Sequence, residues 1–209
     1  FLNSCNFMIH EKSSSLIKIQ KKKLINNKIF WVSNLNKIKK EPCIFIANEF
    51  FDAMPIKQFE KKNNIWFEKF VNFKNSKNPF FFEKRIDIKI IERKIKFKIS
   101  NNQTFIEYSN LGINYLKNIS KIIKKNLGGL LLIDYGYSQK KMKNTLQGVS
   151  NHKFANILND IGNVDITHNL NFDFLRKYTE QVVDLKCNLT TQKKFLLSMG
   201  IKQRAEILS

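Results

Sequence analysis

The sequence has few of the residues that build several common kinds of site. Its three cysteines are far apart and odd in number, which argues against a disulfide framework and a cysteine zinc site. The seven glycines include no G-x-G, so the chain itself contains no glycine-rich phosphate loop. No apolar run approaches the roughly 20 residues of a membrane helix. We therefore expect a folded protein with no membrane insertion and no metal site.

Arginine is scarce in a chain that is otherwise strongly basic. Basic residues number 37 against 17 acidic ones, for a net charge of +20, but only four are Arg. Arg is the usual residue for bidentate contacts with phosphates and bases, so the charge supports a nucleic-acid partner only weakly. Lys, Asn and Ile fill 86 of 209 positions, and A/T-rich codons encode all three. Composition thus accounts for the charge; we expect no nucleic-acid partner, and nucleic-acid binding stays a third interpretation.

Three apolar runs predict buried parallel strands, at residues 5–10, 42–47 and 129–133. A helix predicted at 13–26 and a short strand at 29–32 separate the first two runs, and a helix at 109–126 precedes the third. Gly128 stands where a glycine that closes a helix is expected. Strands that alternate with helices indicate an α/β fold with a mainly parallel sheet, over one domain at residues 1–209.

Residues 56–106 have a different pattern, which predicts an antiparallel lobe inserted into that domain. Strands at 56–59 and 65–73 flank a turn at 61–64. Isoleucines alternate with charged residues over 86–100, which predicts a further strand. Beyond residue 135 the pattern predicts short elements: helices near 154–158, 172–178 and 191–199, and a strand at 182–187.

Four acidic residues lie at or just beyond the C-terminal ends of the buried strands: Glu11, Glu49, Asp52 and Asp134. In open α/β sheets ligands bind outside these ends, and carboxylates suit ribose hydroxyls, amines or guanidinium groups. The alternative is that these acids only start turns and cap helices. An acid at the end of the second strand of a nucleoside-binding fold accepts hydrogen bonds from the ribose, which makes Glu11 a cofactor-binding candidate. That role requires a glycine-rich strand and turn before it, and the seven glycines contain no G-x-G. Either that half of the site is missing from this chain, or the nucleoside interpretation is wrong.

Several segments, in order, resemble the MidA-like methyltransferases, a family that includes a mitochondrial complex I assembly factor. The segment at 46–59 is similar to the family's ANEFFDALP-type motif. The others extend the similarity over nearly the whole chain, least at 60–106. In chain order the six segments are HEKSSSLIKIQKKKL, IANEFFDAMPIKQF, LLLIDYGY, TLQGVSNHKFANIL, GNVDITHNLNFDFL and TQKKFLLSMGIKQRAEIL.

The resemblance implies a class I, Rossmann-like methyltransferase fold with helices on both faces of the sheet and S-adenosyl-L-methionine as cofactor. It implies cofactor contacts by Glu11, Asn48, Glu49 and Asp134. The implied reaction methylates an arginine of a protein substrate, such as a respiratory complex I subunit. For catalysis we expect Glu49 and Asp52 to hold the guanidinium and Asn48 to position the pocket. The alternative role for Asp52 is the cap of a short turn.

The resemblance also leaves alternatives open. The family's first strand, with its glycine-rich turn, and its last strand have no counterpart in this sequence, which predicts a fragment of the family domain. A non-catalytic remnant or assembly scaffold that binds a protein partner is therefore the second interpretation. The composition favours a bacterial cytoplasm, with the mitochondrial matrix as the alternative. His152, Asp165, Thr167 and Asp173 lie in the later segments and are candidates either for the substrate side or for local caps.

Overall fold

The computed structural model describes residues 5–25, 28–38, 40–73, 79–151, 153–159 and 161–209. These residues contain 13 strands and six helices. The chain divides into two compact units, the first made of Phe1–Phe45 and Asn118–Leu130, the second of Ile46–Lys117 and Leu131–Ser209. The single domain indicated by the sequence stays a prediction.

In the first unit, two short parallel strands are joined by a helix. Strand β1 (Phe7–Ile9) pairs with β2 (Ile29–Trp31), and helix α1 (Ser14–Lys23) connects them. The hydroxyl of Ser13 accepts a hydrogen bond from the backbone N–H of Leu16 (3.3 Å), which satisfies one free amide of the first turn. The predicted strand–helix–strand order is therefore confirmed.

Strand β3 (Cys43–Asn48) pairs with β8 (Gly128–Ile133). The N–H of Cys43 donates to the carbonyl of Leu127 (3.1 Å), and the N–H of Glu49 donates to that of Ile133 (2.9 Å). Both bonds advance by six residues on each strand, so the pair is parallel. The two apolar runs that predicted these strands are thus confirmed neighbours in one sheet.

The two faces of β3 differ in exposure. Ala47 is buried, whereas Ile44 and Ile46 are 80% and 71% exposed. Successive side chains of a strand point to opposite faces, so these two isoleucines share one face. The prediction that this strand is covered on both faces is wrong for that face.

Helix α3 (Asn110–Asn126) ends directly before β8, in a tight turn. The turn places Leu127 at φ +67° and Gly128 at φ +129°. A Cβ atom on Gly128 would overlap the backbone of Cys43 on the neighbouring strand. The predicted helix is confirmed, and Gly128 is required both by its φ and by this close backbone approach. The helix buries one apolar stripe: Ile113, Leu116, Ile119 and Ile123.

The second unit contains a four-stranded antiparallel sheet in the region predicted as an inserted lobe. Its strands are β4 (Lys57–Lys62), β5 (Ile65–Asn72), β6 (Phe80–Ile86) and β7 (Phe105–Tyr108), in the order β6-β5-β4-β7. Asn63 and Asn64, at φ +48° and +62°, form the two-residue turn between β4 and β5, where the sequence indicated a turn. Phe59 and Ile106 pair across β4 and β7 and are both buried.

Residues 86–100 do not form the predicted strand. Apart from Ile86, which ends β6, the regular part of this segment is helix α2 (Ile88–Ile95). The carboxylate of Asp87 accepts the N–H of Lys89 (2.9 Å) and caps the helix. The isoleucines fit a helical period as well as an alternating one, and packing decides between them, because Ile91 is only 1% exposed.

This packing predicts a large difference between two neighbouring isoleucines of α2. Replacing buried Ile91 with Ala should lower the free energy of unfolding by about 2–5 kcal/mol, because it leaves a cavity in the core. Ile90 is 38% exposed, so Ile90→Ala should cost less than about 1 kcal/mol. Urea unfolding of both variants measures the difference. Equal costs would contradict the helical assignment of this segment.

The C-terminal part of the second unit consists of short elements. The predicted helices at 172–178 and 191–199 are confirmed, and a further helix follows Gly200, which lies at φ +82°. The elements are β9 (Gly136–Tyr137), β10 (Gln147–Ser150), β11 (Lys153–Ala155), β12 (Asp165–Thr167), β13 (Leu170–Asn171), α4 (Phe172–Gln181), α5 (Gln192–Ser198) and α6 (Ile201–Leu208).

Two local predictions in this part are wrong. The helix near 154–158 is strand β11 followed by a turn; Gly148 on β10 lets the two strands approach closely, since a Cβ there would lie 2.8 Å from the carbonyl oxygen of Ala155. The strand at 182–187 is irregular. Asp184 has φ +53°, and the N–H of Leu185 donates to the carbonyl of Thr179 (3.1 Å), so the chain turns back on α4.

Candidate functional site

Strand β3 ends in a short segment that carries two of the predicted acids; we call residues 49–52 the acid turn. Asn48 is the exposed last residue of β3. Glu49 follows it at φ +45°, in the left-handed region that residues other than glycine rarely adopt. This conformation costs roughly 1–2 kcal/mol and redirects the chain at the strand end. Such strain at the end of a core strand is typical of a functional segment.

Asp134 follows β8 and fixes the backbone of the acid turn. Its Oδ2 accepts the backbone N–H groups of Phe51 (3.1 Å) and Asp52 (3.3 Å), and its Oδ1 accepts the N–H of Tyr135 (2.9 Å). Burial, and secondarily the charge of Asp52, raise the pKa of Asp134, and the three amides oppose this change. The hydrogen bonds of its carboxylate thus go to backbone amides, and a contact of Asp134 with the cofactor stays a prediction.

Asp52 is nearly buried, and only one of its carboxylate oxygens has a hydrogen-bond partner. Oδ2 accepts the hydroxyl of Thr167 (3.0 Å), and the backbone carbonyl accepts the N–H of His168 (3.2 Å). Oδ1 is buried and finds no donor among the residues that the structure describes. Because an unpaired buried carboxylate oxygen is costly, it suits a donor group that a ligand brings.

Tyr135 brings the acids of the two strand ends together. The negative charge of Glu49 and a hydrogen bond to its carboxylate raise the pKa of the Tyr135 hydroxyl, and Asp52 and Asp134 raise it further. Glu49 and Tyr135 are both exposed. The structure therefore places Glu49, Asp52 and Asp134 around one side chain, as their positions after neighbouring parallel strands predicted; their roles stay predictions.

A buried polar network that sequence reasoning missed lies in the same unit. Glu107 on β7 accepts Nε2–H of Gln58 (2.6 Å) and both the hydroxyl and the N–H of Thr145. The Thr145 hydroxyl also accepts the N–H of Asn169 (2.9 Å). Burial lowers the pKa of neighbouring His168, which favours the neutral form of its ring. The one sequence signal was an acid inside the apolar strand FIEY.

A small cavity in this unit lies beside the same residues. Its volume is about 30 Å³, and its lining includes Phe51, Tyr108 and His168. A space of this size holds one or a few water molecules, and Phe51 of the acid turn is part of its lining. The Tyr108 hydroxyl is buried without a hydrogen-bond partner in the described chain, and burial raises the pKa of Tyr108 to about 12.

Glu11 follows β1 in the first unit, and local contacts hold its carboxylate. Oε1 accepts the backbone N–H groups of Lys12 (2.8 Å) and Ser13 (2.8 Å), and Oε2 accepts Nε2–H of Gln20 at 3.4 Å. The hydrogen bond from Ser13 is the main cause that lowers the pKa of Glu11. An ionised carboxylate with one weakly engaged oxygen is an acceptor that fits ribose hydroxyls.

The remaining candidates have local partners or lie elsewhere. Asp173 accepts the hydroxyl of Ser138 (3.1 Å) and pairs with Arg176 (3.3 Å). Asp165 is exposed on β12, and His152 lies outside the described residues. In the part of the chain that the structure describes, no three His, Cys, Asp or Glu residues are grouped as metal ligands.

A protein-family comparison identifies the family. Residues 1–191 match the model of a family described as "Putative S-adenosyl-L-methionine-dependent methyltransferase". The chain belongs to this methyltransferase family. The family resemblance inferred from the six segments and the expected methyl donor of the family are confirmed.

Curated relatives of this methyltransferase-family chain are named protein arginine methyltransferases. The chain is 29% identical over 196 residues to "Protein arginine methyltransferase NDUFAF7, mitochondrial" of Danio rerio, covering 86% of this chain and 42% of the relative. The human protein of the same name is 27% identical over 194 residues, covering 86% and 40%. The chain thus spans less than half the length of these two relatives.

Solved structures show the same fold. A COG1565 superfamily protein from Burkholderia thailandensis bound to S-adenosyl-homocysteine superposes with a TM-score of 0.72 at 18% identity, covering 95% of this chain and 54% of that one. A native structure of a COG1565 superfamily protein from the same organism gives a TM-score of 0.73, with 95% and 55% coverage. The predicted α/β class I methyltransferase fold is confirmed. None of the described helices is long and apolar enough to cross a membrane.

Proposed function

We propose that this chain forms part of an S-adenosylmethionine-dependent methyltransferase that methylates an arginine side chain of a protein. The observation that carries the proposal is the buried, unpartnered Oδ1 of Asp52 in a turn that also contains Glu49. A guanidinium is always protonated and offers five N–H donors, so it matches an acceptor of this kind. The names of the relatives in Danio rerio and humans support the same substrate class.

In this proposal the acid turn binds and orients the guanidinium. Asp52 accepts an N–H of the substrate at Oδ1, and the exposed Glu49 accepts a second one. Two charge-assisted hydrogen bonds fix the plane of the group and direct one nitrogen toward the methyl donor, so the main contribution is positioning. In the transfer an N–CH₃ bond would form as the S–CH₃ bond breaks, and the methylated nitrogen would release its extra proton to solvent water beside the exposed Glu49. The two carboxylates would stabilise the positive charge of the guanidinium during this step. Asn48, which precedes Glu49, shapes the pocket beside them.

Bound S-adenosylmethionine supplies an activated methyl group on its sulfonium sulfur. Glu11 is the residue that we assign to the ribose, because its carboxylate is ionised and two backbone amides fix its orientation. The family resemblance suggests Asn48 and Glu49 as further residues that contact S-adenosylmethionine.

The protein substrate and the cellular compartment are inferred from the family resemblance and from the names of the relatives. A respiratory complex I subunit is the substrate that the family resemblance suggests. The two relatives carry "mitochondrial" in their names, which supports the mitochondrial alternative over a bacterial cytoplasm. A scaffold without catalysis is the second candidate, because this chain itself contains no G-x-G segment.

A titration of the full-length gene product with S-adenosylhomocysteine tests the proposal. Glu11→Gln should weaken binding about 10- to 100-fold, since it replaces a charged acceptor of the ribose hydroxyls by a neutral one. Glu41→Gln removes the same charge from an exposed position before β3 and should bind like the unmodified protein. Calorimetry measures both affinities. A folded protein that binds no S-adenosylhomocysteine, yet captures a protein partner, would favour the scaffold.

A further inference from the structure

One hydroxyl fixes the carboxylate of Asp52 in the orientation that leaves its Oδ1 free. That hydroxyl belongs to Thr167, at the end of β12, and it lies 3.0 Å from Asp52 Oδ2. We propose that Thr167 is a positioning residue, which sets the carboxylate of Asp52 for substrate binding without touching the substrate. The inference rests on the proposed function of Asp52.

Thr167 is placed on regular structure and not on a free loop. β12 pairs antiparallel with β10, and Thr167 stands opposite Gln147 in that ladder. The hydroxyl reaches both the carboxylate and, at 3.5 Å, the backbone carbonyl of Asp52. A hydroxyl has one proton to donate, and the shorter distance assigns it to the charged carboxylate, which is the stronger acceptor.

The two residues after Thr167 hold segment 167–169 in place, one through Asp52 and the other through Thr145. The N–H of His168 donates to the Asp52 carbonyl (3.2 Å), and the N–H of Asn169 donates to the hydroxyl of Thr145 (2.9 Å). The Thr145 hydroxyl in turn donates to buried Glu107. The segment 167–169 thus connects the acid turn to a buried network, which gives the Thr167 hydroxyl a defined position.

Two separate sets of contacts hold the backbone and the side chain of Asp52. The carboxylate of Asp134 accepts the N–H of Asp52, and the N–H of His168 donates to the Asp52 carbonyl. The backbone of Asp52 is therefore fixed without Thr167. Among the described residues, the hydrogen bond that restricts the carboxylate comes from the Thr167 hydroxyl. Removing that hydroxyl should therefore free the rotation of the carboxylate and leave the acid turn in place.

The test compares two substitutions that remove the hydroxyl and the methyl group of Thr167 separately. Thr167→Val removes the hydroxyl, keeps the branched shape and suits a strand, so it should fold. Thr167→Ser keeps the hydroxyl and removes the methyl group. Methyl transfer to an arginine-containing acceptor and S-adenosylhomocysteine affinity are measured for both, with thermal unfolding as a check of folding.

We expect Thr167→Val to lower kcat/KM for the acceptor about 10- to 100-fold with donor affinity changed less than about twofold, because misplacement of a reacting group costs rates of that order. Thr167→Ser should restore transfer to within about threefold. Unchanged transfer in the valine variant overturns the inference, and so does an equal loss in both variants, which would point to packing by the methyl group. If the unmodified protein binds the donor and transfers nothing, the proposed function itself fails.

Discussion

Asp52→Asn is expected to reduce methyl transfer at least about 100-fold while the protein stays folded. Asn has the shape of Asp, and its amide oxygen can still accept the hydroxyl of Thr167. Its NH₂ group then occupies the place of the unpartnered Oδ1 and presents donors toward the substrate. A guanidinium, which carries only donors, cannot pair with it, and the loss of one charged hydrogen-bond acceptor in a buried site has effects of this size. A radiolabelled methyl-transfer assay measures the loss.

Glu49→Gln tests the second carboxylate of the turn. We expect a smaller loss, about tenfold, because Glu49 is exposed and solvent screens its charge. Glu180→Gln on the exposed face of α4 removes one negative charge far along the chain and serves as the matched control. Full activity in both Asp52→Asn and Glu49→Gln would contradict the proposal that these two carboxylates bind the guanidinium. An equal loss in the control would show that the assay reports net charge and not the acid turn.

The largest expected effect on stability comes from Gly128→Ala. Gly128 opens β8 at φ +129°, a conformation that L side chains rarely adopt. A Cβ there would also overlap the carbonyl oxygen of Cys43, so the parallel pair of β3 and β8 could not form as it does. Backbone strain and a clash with a neighbouring strand together should lower the free energy of unfolding by about 4 kcal/mol. Urea unfolding measures it.

The adjacent glycine is a close control. Gly129 lies in the same strand, its φ is ordinary, and a Cβ there would meet no atom within 4 Å. Gly129→Ala should therefore change the free energy of unfolding by less than about 1 kcal/mol. If both alanine variants were equally stable, the backbone approach of Gly128 to Cys43 would be contradicted.

The sequence was most informative where one physical cause dominates. Continuous apolar runs predicted β1, β3 and β8, although one face of β3 is exposed at Ile44 and Ile46. The helix at α3 followed from its apolar stripe. Residues 86–100 were misread because their isoleucines fit both periods, and the contacts of Ile91 and Ile95 in the core decided the outcome. Local patterns alone could not supply those contacts.

Some features of the candidate site could likewise be predicted from the sequence, and others could not. The positions of Glu49, Asp52 and Asp134 after neighbouring strands predicted that these acids would lie together, because parallel strands end at one edge of a sheet. The contact between Thr167 and Asp52 spans 115 residues of sequence. No spacing rule reaches that far, and neither does any rule connect Glu107 to Thr145. Such partners depend on how the later strands return to the acid turn.

Mass spectrometry of an arginine-containing protein acceptor, incubated with the full-length gene product and S-adenosylmethionine, tests the central claim most directly. We expect the mass of one or more added methyl groups on an arginine residue, with the modification lost in Asp52→Asn and kept in Glu180→Gln. Methylation of arginine at an undiminished rate by Asp52→Asn would contradict it, and so would methylation confined to other residue types.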